Sequence, residues 1–328
     1  MWLSSPSRSA HSWLYLAIAV LLAASAAAAH AAADRLKFTL GVLRRDGILL
    51  PFAAFDGRRW SVPWPSADTT AALPISVADI PPKWFGPTGP DARWTAWLTD
   101  ETKRPLAVGK PVQIPIFCSG YLGLTTDYRG EDADRRQPTV PKDALAVTGD
   151  IPVLPITSVS IHSPDADRMI TAITGEFNDA EKTAANAFTE WIHPWTVEER
   201  RNFPIELEAF YRNSETTPKK FRTSYVEAVR KFPARLGDNG CGLITYVRGW
   251  VTEVEGRKPV IDIGARVTFC DRADVTFMQP LGRLHIDKDA YWVYQLSSWR
   301  DELFAIARVA DDGVKPAVAV SGGSCPKS

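Results

Sequence analysis

The sequence predicts a mainly β protein with a small α-helical segment. The expected order is a Pro/Trp-rich antiparallel β domain, two or three short helices, and a C-terminal antiparallel meander or sandwich. Three observations carry this prediction. Short apolar runs bounded by Gly, Asp and Pro recur through most of the chain. Fifteen of the 25 prolines lie between residues 51 and 155, and each removes a backbone donor and crowds the preceding turn, which disfavours regular helix. A 3.6-residue apolar period sets in between residues 163 and 202.

Residues 1–33 read as a secretory signal. Arg8 is their one charge, an apolar stretch follows from residue 13 to 29, and Ala29-His30-Ala31 and Ala31-Ala32-Ala33 offer small-residue cleavage sites. The other reading is an uncleaved N-terminal anchor facing outward; that stretch falls slightly short of the ~20 residues that span a bilayer. The expected location is secreted or periplasmic. Beyond the signal, the organisation expected is a β domain over 34–161, an α+β domain over 162–310 and a flexible tail over 311–328.

In the first domain, residues 37–44 and 48–55 flank Asp46-Gly47, a dipeptide suited to the positive φ of a tight hairpin. Asp56-Gly57 repeats the signal before residues 58–64, so a three-strand meander is expected. Pro51 inside the second strand implies an edge position or a bulge. Further short strands are expected at 93–98, 112–118 and 151–161.

Ser163 suits an N-cap and Pro164 the first helical position. Ala166, Met169, Ile170 and Ile173 then form one face, and Gly175 reads as the stop. A second helix is expected from Asn178, with Glu181 completing a capping box and Ala180, Ala184, Ala187, Phe188 and Trp191 on its apolar face until Pro194. Thr196 with Glu199 opens a further short turn. From Ile205 the period returns to two. Residues 221–232 fit both a strand and a helix face. Strands follow at 243–254, 260–269, 275–279, 291–296 and 302–309.

The four cysteines are Cys118, Cys241, Cys270 and Cys325. An even count in an exported chain implies disulfides. If residues 243–254 and 260–269 form a hairpin around Glu255-Gly256-Arg257-Lys258, opposed residues keep a constant index sum, and Cys241 and Cys270 meet at its open end. Whether Cys118 pairs with Cys325 stays open.

With 38 basic and 38 acidic side chains the chain lacks the basic footprint of a nucleic-acid binder, and at 45% apolar it is not a disordered one. No H-E-x-x-H, G-x-S-x-G, phosphate-loop, EF-hand or dinucleotide fingerprint occurs. The catalytic candidates are His162, Asp165 and Asp167, where a strand meets a helix start, and Glu190 with His193, which share a helix face. Capping, dipole and packing roles account for the same residues. Asp127, Glu131, Asp132 and Asp134 form an acidic loop with Gly130 that would suit calcium, although Arg129, Arg135 and Arg136 offset its charge. Ten tryptophans follow the signal. Trp60 and Trp64, four apart, are the candidates for a ligand-stacking face, with core packing as the competing role. Trp94 and Trp97 are three apart and face opposite ways in a strand.

Together these features favour an exported, non-catalytic binding or interaction module for a glycan, a peptide or an envelope partner. No cofactor, metal or nucleic acid is expected, and membrane contact only through an uncleaved N-terminus. The alternatives are a secreted hydrolase, glycosidase-like with scattered acidic and His residues, and a structural component of the cell envelope.

Overall fold

The computed structural model describes residues 36–65, 76–99, 102–130, 140–187, 193–213, 221–234, 240–272 and 275–325. It is mainly β, with three antiparallel sheets and one long helix. The signal expected over residues 1–33, and Glu131, Asp132, Asp134, Phe188, Glu190 and Trp191, lie outside the described residues.

The first sheet is built from β1 (Phe38–Arg44), β2 (Ile48–Phe55), β3 (Trp60–Ser61), β4 (Trp94–Leu98), β5 (Lys103–Leu106), β6 (Val108–Ile116), β7 (Ser119–Thr126) and β8 (Lys142–Thr148). Its order is β5-β4-β8-β1-β2-β7-β6, with β3 added to β2. The Asp46-Gly47 hairpin forms as expected, and Gly47 takes a φ of 83°. The register shifts between Leu40 and Gly41, where Gly41 faces Pro51, so the proline is accommodated at a bulge. The third strand of the meander is only two residues long and ends before Pro63. Strands β7 and β8 were not expected. The proline-rich stretch contains two 3-10 segments, Val77–Asp79 and Pro82–Thr88, and no α-helix among its described residues.

The second sheet comprises β9 (Ile156–Ser158), β10 (Glu206–Asn213), β11 (Phe221–Pro233), β12 (Cys241–Val254) and β13 (Val260–Phe269), in that order across the sheet. Helix α1 (Pro164–Ala187) and the single turn α2 (Val197–Arg200) connect β9 to β10. Ser163 caps α1 by accepting from the Ala166 N–H at 3.3 Å. One helix replaces the two expected. Gly175 does not stop it, because the position is exposed and helical, and the apolar stripe continues past it through Ile173, Phe177 and the buried Glu181. Residues 221–233, ambiguous between strand and helix, form β11.

The third sheet runs β14 (Phe277–Ile286), β15 (Asp289–Ser297), β16 (Asp301–Ala310) and β17 (Gly313–Ser324). The flexible tail expected over 311–328 is corrected here. Residues 313–324 pair along β16, Val318 and Val320 are buried, and Cys118–Cys325 ties the end of the strand to the β6–β7 turn. Alternation of small and β-branched residues in a Gly/Ser-rich segment produced a strand because both a neighbour and a covalent tie were available.

This third sheet is buried on both faces. Leu281, Leu284, Ile286, Val293, Phe304 and Ile306 join the first sheet in the largest core, where the Phe52 and Phe304 rings sit 5.5 Å apart. Met278, Ala290, Trp292 and Val309 face the second sheet. The second sheet in turn packs its far side on Ala166, Met169, Ile173 and Phe177 of α1. The molecule therefore has four layers, sheet on sheet on sheet on helix. The segment after residue 276 shares its main core with the segment before 150, across the boundary expected at 161.

Two buried charge clusters join the layers. Lys142 Nζ meets Glu302 at 2.6 Å between the first and third sheets, and Gln295 Nε2 donates to the same carboxylate at 3.0 Å. Between α1 and the second sheet, Arg230 reaches Glu181 at 2.5 Å and Asn178 at 3.0 Å, while Thr245 donates to Glu181 at 2.9 Å.

Candidate functional site

The hairpin β12–β13 positions an open cleft. Its register runs from Leu243↔Phe269 to Thr252↔Val260 without a shift, so alternate residues stay on one face throughout. One face packs on α1. The other presents Tyr246, Arg248 and Trp250 from β12, directly opposite Arg266, Gly264 and Asp262 of β13. Strand β11 extends the row: Tyr225 pairs with Trp250, Glu227 with Arg248 and Val229 with Tyr246. Val275, Thr276, Tyr294 and Leu296 close the opposite wall. The result is an open cavity of about 460 Å³.

Its chemistry is aromatic on the floor and charged at the rim. The Trp250 ring meets Tyr225, Trp292 and Tyr294 edge to face, with centroids 5.0, 5.1 and 5.6 Å apart. Such a cluster locks the rings in place. Trp250 and Tyr294 remain partly exposed, and Asp262, Gly264 and Arg266 are exposed. A Cβ at Gly264 would meet nothing within 4 Å, so the missing side chain leaves the cleft open opposite Arg248. Arg248 donates to the Thr276 carbonyl at 3.3 Å and faces the Tyr225 hydroxyl.

Glu227 lies next to this cleft, is 3% exposed and is not a lining side chain. Its carboxyl is pushed from 4.5 up to about 7 by burial, partly offset by the Met278 N–H that donates to it at 2.6 Å. The hydroxyl of Tyr246 is within hydrogen-bonding reach of Glu227 and of the Thr276 carbonyl, the latter at 3.2 Å. Burial, and then the Glu227 charge, push the hydroxyls of Tyr225, Tyr246 and Tyr211 upward. The described lining thus sets neutral phenols beside Arg248, Arg266 and Asp262.

The residues singled out from the sequence lie elsewhere. Trp64 is 3% exposed and donates its indole N–H to the Leu122 carbonyl at 2.8 Å. Trp60 packs among Phe38, Phe55 and Tyr291. The two rings belong to the main core cluster and form no shared open face. His162 is exposed at the turn before α1. Asp165 pairs with Arg212 at 2.7 Å and with Arg168, and the Arg212 hydrogen bond holds its carboxyl below the usual range. Asp167 is exposed in the first helical turn. His193 packs edge-on against Phe232 at 4.9 Å, and burial followed by the Arg200 charge lowers it to about 4, so the ring is neutral at physiological pH. Asp127 is engaged by the Ala107 N–H at 2.9 Å and by Arg104 at 3.1 Å. Among the described residues no group of three or more His, Cys, Asp or Glu side chains is arranged to hold a metal ion.

Both disulfides form. Cys241 and Cys270 pair with a Cα separation of 6.0 Å, as the hairpin register required, and Cys118 and Cys325 pair at 4.7 Å. Their presence points to folding in an oxidising environment. No helix among the described residues is long and apolar enough to cross a membrane.

The cleft residues were missed, yet the signal was present. The hairpin register that brings Cys241 and Cys270 to within one residue of direct opposition also sets Tyr246, Arg248 and Trp250 against Arg266, Gly264 and Asp262. What it does not show is that the third sheet leaves this end of the face uncovered. Comparison with known proteins gives no match, whether against family models, curated proteins or solved structures.

Proposed function

We propose that the chain is an exported, non-catalytic binding module whose ligand is a saccharide held in the cleft between the second and third sheets. One observation carries the reading: a cavity of about 460 Å³ in which Trp250 and Tyr294 stand beside Arg248, Arg266 and Asp262. Flat rings stack on the C–H faces of a sugar, and guanidinium and carboxylate groups bond its hydroxyls. The aromatic cluster around Trp250 is assembled by packing before any ligand arrives, which lowers the ordering cost of binding. The N-terminal signal and the two disulfides support a secreted or periplasmic location.

The test is a glycan array followed by titration with tryptophan fluorescence. A saccharide ligand should give saturable quenching, and Trp250→Ala should weaken it at least tenfold, with a far-UV spectrum matching wild type showing that the variant is folded. Absence of saturable binding to any saccharide up to roughly 10 mM, a concentration that would reveal even millimolar affinity, would reject the reading.

A second reading, a hydrolase, draws on the raised pKa of Glu227, which suits a general acid. Against it, Glu227 does not line the cleft, and among the described residues Asp262 is the one carboxyl-bearing side chain that does. Turnover of a glycoside that Glu227→Gln abolishes would favour this second reading over the first.

A further inference from the structure

The edges of the three sheets are not alike. Strand β5 carries Lys103, Arg104 and Pro105, β6 carries Pro111 and Pro115, and β9 is three residues long. Strand β14 contains Pro280 and a register shift, and the backbone of Arg283 exchanges two 2.8 Å hydrogen bonds with Leu154. Strand β17 contains Pro316 and shifts register twice against β16. Each of these devices discourages another strand from pairing.

Strand β13 shares only the charged side chains, in Asp262 and Arg266, and a helix against one face, that of Ile261, Ile263 and Ala265. It is ten residues long, contains no proline or lysine, and pairs with β12 without a bulge. No strand among the described residues pairs with its outer edge. Among the described residues, two of the five exposed large apolar side chains, Val260 and Phe269, stand at its two ends, while Ile261 and Ile263 are half-buried against the core beneath α1.

We infer that β13 pairs antiparallel with β13 of a second copy, about a two-fold axis at Gly264, joining the two five-stranded sheets into one of ten strands. The sequence of β13 is self-complementary in that register. Asp262 and Arg266 sit two residues to either side of Gly264 on the same face, so each Asp262 stands opposite Arg266 of the other copy, twice per dimer. On the other face Ile263 meets Ala265 and Ile261 meets Val267, while Phe269 comes against Pro259. A register centred one residue either way sets both charges against uncharged residues, so the electrostatics select one alignment. The N–H and C=O groups that β13 does not direct towards β12 supply the remaining bonds. Because Asp262, Gly264 and Arg266 line the cleft, the two clefts would adjoin across the axis. The pairing does not depend on what the cleft binds.

The test is sedimentation equilibrium of the full-length chain with both disulfides formed, without added ligand, from about 1 to 200 μM. Wild type should show a concentration-dependent dimer. Asp262→Arg and Arg266→Asp each place like charges opposite twice and should weaken dimerisation by about 10- to 30-fold. The double variant Asp262→Arg/Arg266→Asp should restore it, and matched far-UV spectra would show that all forms are folded. A wild-type monomer across the range overturns the proposal. So does a dimer indifferent to either reversal, or a double variant that fails to recover.

Discussion

Replacing Glu227 with glutamine isolates the energetics of a carboxyl enclosed between the second and third sheets. Glu227 is 3% exposed, and its carboxyl is raised from 4.5 to about 7, chiefly by burial. The folded chain therefore holds this proton more tightly than the unfolded chain does between those two values. The stability it supplies is fully present below pH 4.5 and is lost as pH rises through about 7. At about 1.4 kcal/mol per pH unit, the loss is about 3 kcal/mol. Glutamine has the same shape and keeps an oxygen to accept from the Met278 N–H, but it does not ionise. Glu227→Gln should therefore gain about 3 kcal/mol over wild type on going from about pH 4 to about pH 8. His193 titrates in the opposite sense in an overlapping window. Its folded value of about 4 lies below the ordinary 6.5, so its contribution rises with pH across that interval. The two effects partly cancel in the wild-type profile, and only the difference between the proteins removes His193. Urea unfolding followed by tryptophan fluorescence at half-unit pH steps gives that difference. A difference that stays flat to within about 1 kcal/mol would refute the argument that burial governs Glu227.

Other perturbations test the layers themselves. Glu302→Ala leaves Lys142 buried without its partner and should cost about 3–5 kcal/mol, whereas Lys142→Met with Glu302→Leu should cost far less; equal losses in urea unfolding would contradict the buried-pair account. Removing Cys118–Cys325, which spans 207 residues, should cost about 5 kcal/mol, against about 3–4 for Cys241–Cys270, which spans 29. Denaturant midpoints of the two double-serine variants decide the order, and the reverse order would count against loop closure as the source.

Legibility in the sequence followed the range of the interaction. The Asp46-Gly47 hairpin, the Ser163 cap and the β12–β13 register depend on residues close together in the chain, and all three could be read directly. Where burial decided, local signals misled. Gly175 looks like a helix stop, but Phe177 and Glu181 beyond it find places on the second sheet, so the helix continues. Residues 313–324 look like a tail because their Gly, Ser and Ala content is low in local preference. They become a strand because β16 offers a partner and Cys118 an anchor. Trp60 and Trp64 carry the spacing of a stacking platform, yet the first sheet and Pro-rich loop fold around them.

Composition and local spacing were therefore enough to specify sheet-dominated architecture and the hairpin that brings Cys241 to Cys270, since each rests on contacts within about thirty residues. How far each tryptophan is closed in was decided by packing between distant segments: the first sheet and the Pro-rich loop enclose Trp64, Trp60 also meets Tyr291 of the third sheet, Trp292 is fully buried, and Trp250 keeps a partly open ring beside the cleft. A β face is apolar or aromatic whether it meets another sheet or a ligand. Only the extent of the layer stacked upon it distinguishes the two, and that extent is set by residues far away in the chain.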